Sequence, residues 1–93
     1  MSNKFCFQIT VETHDQTGEI LSVNIRIRKG KVAKTKEYAD GSAFGDYDRS
    51  GNLLAIELLG PCEAKILDKI AAQPDAKRFV RSVVPPAMLL EAA

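Results

Sequence analysis

Apolar and polar residues alternate from Phe5 to Val11, with Phe5, Phe7, Ile9 and Val11 set against Cys6, Gln8 and Thr10. That period of two marks a half-buried strand. His14-Asp15-Gln16-Thr17-Gly18 reads as a turn. A second alternation follows, Leu21, Val23, Ile25 and Ile27 against Ser22, Asn24, Arg26 and Arg28. Lys29-Gly30 closes it, which predicts that this strand turns back on a third, over about residues 31–38. Asp40-Gly41 breaks the pattern before a fourth strand over about 42–47. The Asp48-to-Gly51 turn then leads into a fifth strand from Leu53 to Leu58.

At Gly60-Pro61 the period changes. Cys62, Ile66, Leu67 and Ile70 fall at helical spacing while Lys65, Asp68 and Lys69 face away, predicting a helix from about Pro61 to Ala72. Gln73-Pro74 ends it. Phe79, Val80, Val83 and Val84 then suit a second helix over 75–84, against the strand preference of their β-branched run. Pro85-Pro86 interrupts again and leaves a short apolar tail.

Strands first and helices second define an α+β fold, an antiparallel β-meander of about five strands followed by two or three C-terminal helices packed on one face. A chain of 93 residues supports a single core, so residues 1–93 are expected to form one domain, with the sheet over about 4–59 and the helical region over about 61–92.

Charge and cysteine usage narrow the function classes. Thirteen basic residues against twelve acidic ones leave a net charge of +1, which excludes a whole-molecule pull on nucleic acid or an anionic membrane. No run has the length of a membrane helix, and the first residues lack the unbroken apolar stretch of a signal peptide, so the expected location is cytoplasmic. Cys6 and Cys62 are far apart and outside any metal-ligand spacing, and are expected to be reduced and to pack as small hydrophobes. His14, the one histidine, sits in a turn. No nucleophile motif or phosphate-cradling loop is present, so a non-enzymatic protein without a cofactor is expected.

Asp46-Tyr47-Asp48-Arg49-Ser50-Gly51-Asn52-Leu53-Leu54-Ala55-Ile56-Glu57 also scans as a calcium loop, with Asp46, Asp48 and Glu57 as candidate ligands and Gly51 at the sharp turn. Such a loop requires a helix on each side, and Gly41, Gly45 and Gly60-Pro61 leave no room for either. The hairpin reading prevails. In it, Asp48 accepts hydrogen bonds from turn N–H groups and Gly51 supplies a positive φ.

From Val23 to Gly60 the chain carries Ile25-Arg26-Ile27, then Lys31-Val32-Ala33-Lys34-Thr35-Lys36-Glu37, then Asp46-Tyr47-Asp48-Arg49-Ser50-Gly51, and then Ile56-Glu57-Leu58-Leu59. This series resembles the bacterial family catalogued as domain of unknown function 2283, whose pattern runs from an apolar strand through a Thr-x-Glu step to an Asp-x-Asp-x-x-Gly turn and an Ile-Glu-apolar strand. The resemblance implies a small antiparallel sheet domain and transfers no activity.

Two candidate surfaces remain. If the second and third strands form a hairpin around Lys29-Gly30-Lys31, Arg26, Arg28, Lys34 and Lys36 gather on a basic ribbon able to contact nucleic-acid phosphates. The apolar tail offers the other, with Met88, Leu89 and Leu90 joined by Phe79 and Val83 as contact residues for a homo-oligomer, a homodimer in its simplest form, or for a small protein partner. The leading expectation is an interaction module of this second kind, with nucleic-acid binding as the alternative and calcium binding behind it.

Overall fold

The computed structural model describes residues 5–90. Five antiparallel strands, β1 (Gln8–Thr13), β2 (Ile20–Arg26), β3 (Lys34–Tyr38), β4 (Ala43–Tyr47) and β5 (Leu53–Leu58), form one sheet. Two helices follow, α1 (Ala64–Ile70) and α2 (Pro74–Val83), and the α+β class is as expected.

The strand order is β1-β2-β5-β4-β3 and not the sequential meander. β1–β2 is a hairpin and β3–β4–β5 a meander, but β2 pairs with β5. Hydrophobicity accounts for the exchange. β2 and β5 bring Val23, Ile25, Ile56 and Leu58, all at 0% exposure, and a strand buried to that degree belongs in the interior of a sheet. Lys34-Thr35-Lys36-Glu37 is too polar for that position and suits an edge, where charge discourages further pairing. The Lys29-Gly30-Lys31 segment is therefore part of a longer connection that carries the chain past two strands to the far side.

Register sorts the side chains into rows across all five strands. Val11, Val23, Leu58, Ala43 and Tyr38 form one row, and Ile9, Ile25, Ile56, Gly45 and Lys36 another. The central members of both rows pack with Leu67, Ile70, Ala76 and Val80 of the helices. The opposite face carries Thr10, Asn24, Glu57, Phe44 and Glu37 in one row and Gln8, Arg26, Ala55, Asp46 and Thr35 in the next. A register shift between Asp46 and Tyr47 brings Tyr47 opposite Leu53, so that Leu53 packs against the core and Leu54 is buried beside Gly30.

The first helix starts later than its periodicity predicts. Cys62 and Glu63 form a short strand, β6 (Cys62–Glu63), that pairs in parallel with β7 (Leu89–Leu90). The tail thus returns to its own chain after Pro85, with Met88 3% exposed inside the core. Helix α2 has Pro74 in its first turn, where a missing N–H costs nothing, and its β-branched residues are held helical by burial of Ala76 and Val80. A two-point contact from Arg81 to Asp68, 2.9 Å from Nε and 3.1 Å from Nη2, ties α2 to α1 and holds the Asp68 carboxyl below its ordinary range.

Candidate functional site

The four basic residues expected on one ribbon are not brought together. Arg26 lies on the face away from the helices, in the row ending at Thr35, with its Nη1 donating to the Arg28 carbonyl at 3.2 Å. Lys34 and Lys36 are three strands further on, beyond β5 and β4, and on the other face, beside Tyr47 and Gly45. Arg28 is 7% exposed, stacked over the Phe5 ring at 4.4 Å and donating to Gln73 Oε1 in the connection between the helices. The basic hairpin is excluded because β5 and β4 stand between its two strands.

The tail residues are corrected in a similar way. Met88 is core, and Val83 and Leu89 pack against it. Phe79 stacks on Phe7 at 4.5 Å, and Phe7 on Phe5 at 4.9 Å. Of the five contact candidates, Leu90 alone projects, at 51% exposure.

The calcium-loop carboxylates diverge. Asp48 Oδ1 accepts from the N–H groups of Ser50 and Asn52, both at 2.9 Å, and Oδ2 from Asn52 Nδ2 at 3.1 Å. Those donors, the Asn52 N–H first, hold its carboxyl below the usual value. Gly51 takes φ +87°, as the turn demands. Asp46 accepts from the Thr35 hydroxyl at 2.7 Å, and Glu57 faces Phe44. Among the described residues no group of three His, Cys, Asp or Glu side chains is placed to hold a metal ion. Asp48 is a turn residue, so Asp48→Ala is expected to lower the melting temperature. A depressed carboxyl stabilises the fold above its unfolded value of about 4 and loses that contribution as pH falls through the folded one. Melts of both proteins against pH check this: the gap between them is widest near neutrality and closes in acid.

His14 is exposed in its turn, where Nδ1 accepts from the Gln16 N–H at 3.2 Å. Cys62 is buried, and desolvation with the neighbouring Glu63 charge pushes its thiol up, away from the reactive thiolate.

The structure assembles a site that sequence reasoning missed. At the β3 edge, on the helix-side face but beyond the helices, a groove of about 460 Å³ is lined by Lys34, Lys36, Tyr38, Tyr47, Arg49 and Gly51, with Ala33 and Asp48 completing it. The Tyr38 and Tyr47 hydroxyls lie 2.5 Å apart, and Lys36 Nζ sits 5.3 Å from the Tyr38 ring centre. Burial, and then the hydrogen bond to Tyr38, push the Tyr47 hydroxyl well above its ordinary value, so it remains a protonated partner. Gly45 makes the pair possible: a Cβ there would stand 2.9 Å from the Tyr47 hydroxyl. The one signal in the sequence was Gly45 two residues before Tyr47 on the same strand face, an absent side chain where an aromatic ring lies down. A smaller cleft of about 290 Å³, lined by Ile27, Leu53, Ile70 and Gln73 among others, adjoins the groove through Tyr47 and Gly51.

The fold is a small α+β one whose sheet ends in two edges of different character, β1 and β3. No protein-family model, curated protein or solved structure matches the chain. No helix among the described residues is long and apolar enough to cross a membrane.

Proposed function

We propose that this chain is a non-enzymatic interaction module that assembles with a second copy of itself through the outer edge of β1. The observation that carries the reading is the chemistry of that edge. β1 is six residues long and mostly exposed, ends the sheet, and holds Glu12 as its one charge, whereas β3 at the other edge carries Lys34, Lys36 and Glu37. An unblunted edge is a template for pairing; a charged one resists it.

The hydrogen-bond phase supports it. The N–H groups of Cys6 and His14, at either end of the strand, both point into the hairpin, to Ile27 and Glu19 carbonyls. Even-numbered residues therefore face β2, and Ile9 and Val11 turn their N–H and C=O groups outward. An antiparallel partner centred on Thr10 places Ile9 opposite Val11 of the second copy, Thr10 opposite Thr10 and Gln8 opposite Glu12. No like charges meet, and Val11, 41% exposed in the single chain, is covered.

Molar mass in solution, measured as concentration rises, tests the proposal. The intact chain is expected to dimerise. Val11→Pro, which removes an outward N–H that the chain's own ladder does not use, and Val11→Lys are each expected to give folded monomers. A chain that stays monomeric at high concentration, or a Val11→Lys dimer as tight as the original, defeats the reading.

A further inference from the structure

We infer that the groove at the β3 edge binds single-stranded nucleic acid, taking phosphates on Lys34, Lys36 and Arg49 and bases against Tyr38 and Tyr47. Pairing through β1 is not needed for this, because β1 and β3 lie at opposite edges of the sheet.

Charge selects the ligand's sign. Three cations line the groove against a single carboxylate, Asp48, whose oxygens are already engaged by three donors. The neighbouring charges of β3 and β4 do not neutralise it: Glu37 and Asp46 belong to rows on the other face of the sheet. A net charge of +1 for the whole chain makes this concentration local rather than a general basicity.

Shape selects a strand over a compact anion. Lys36 and Lys34 are two residues apart on one strand, about 6.6 Å, and Arg49 continues the line past Tyr47, which pairs with Lys34. Cations spread along a groove match successive phosphates, whereas a free mononucleotide offers its charge at one end. The two tyrosines give aromatic surface and a hydroxyl pair beside that line. Base stacking on aromatic side chains together with a cationic track is the general recipe for sequence-tolerant single-strand binding. A duplex is disfavoured, because its bases are stacked inside and only its phosphates are left for the groove.

The molecule carries its own reporter. It has no tryptophan and two tyrosines, both of which line the groove, so intrinsic emission reads this site alone. Titration with short oligo-dT and oligo-U is expected to quench tyrosine emission. The logarithm of the binding constant is expected to fall with the logarithm of salt concentration at a slope near −2, about 0.7 for each of three phosphates. Lys36→Ala and Arg49→Ala, both exposed positions, are each expected to reduce that slope by about 0.7 and to weaken binding several-fold. Arg26→Ala, on the opposite face, is expected to leave both unchanged. Four results overturn the inference: no binding at low salt, binding without a change in tyrosine emission, a mononucleotide or duplex that competes as well as the strand, or Arg26→Ala acting as strongly as Arg49→Ala.

Discussion

Met88→Ala is expected to lower the free energy of unfolding by about 2–5 kcal/mol, the range for removing a large side chain from a packed interior. Met88 is 3% exposed and belongs to the cluster that contains Leu58, Leu67 and Val80. It is held there from both sides: its own N–H donates to the Pro85 carbonyl at 2.9 Å, and the next residues pair with Cys62 and Glu63. A domain of this size has a total stability of roughly 5–14 kcal/mol, so the substitution removes a large part of it. Denaturant unfolding measures the change. A loss below about 1 kcal/mol would mean that the tail is not part of the core. Cutting the chain after Pro86 is expected to do more damage than Met88→Ala, because it also removes the β6–β7 pairing. On this account the tail sets stability and has no direct part in assembly.

Gly45→Val is expected to destabilise the protein by about 1–3 kcal/mol and to separate the two tyrosines. Even a single Cβ would stand 2.9 Å from the Tyr47 hydroxyl and 3.0 Å from its ring, and valine adds two methyl groups to that conflict. The consequence is visible in alkali. Tyr47 ionises above its ordinary value because burial and the Tyr38 hydrogen bond favour its neutral form. A group raised in the folded state gives its full stabilisation below the unfolded value, about 10 for tyrosine, and loses it as pH rises through the folded value. The native protein is therefore expected to lose stability above about pH 10. Gly45→Val moves the Tyr47 transition back toward 10, read as tyrosinate absorbance, and weakens single-strand binding together with it. An unaltered titration in this variant would show that the ring does not depend on the glycine.

The elements were legible because each writes its own period. Val23, Ile25 and Ile27 spell a strand without reference to anything else, and Gly51 after Asp48 spells a turn. Strand order was not legible in the same way. Lys29-Gly30 looks like a hairpin loop, and only the competition between β3 and β5 for the place beside β2 decides otherwise. That competition depends on total burial, which no local window contains. The same limit hid the groove. Tyr38 and Tyr47 are in different strands and not directly opposite, and they meet because Gly45 leaves room. Lys34 and Lys36 stand out in the sequence by their charge, but the strand order sets them apart from Arg26 and Arg28, with which that charge groups them in the sequence. Met88, Leu89 and Leu90 read as a sticky tail because an apolar segment after Pro85-Pro86 has the same appearance whether it covers its own core or another molecule's.

The pairing of β2 with β5 has a consequence for synthesis. The β1–β2 hairpin is complete once Arg26 has been made, but the partner for the inner edge of β2 is finished only at Leu58. At about 5–20 residues per second that interval lasts roughly 2–6 s. During it, Val23 and Ile25 have neither β5 beside them nor the helices above them. The hairpin and the later meander are each built from local contacts, and the docking of one on the other is the long-range closure that delays folding. The nascent chain is thus most exposed to wrong pairing between residues 26 and 58, and a pause in translation within that stretch would prolong the risk.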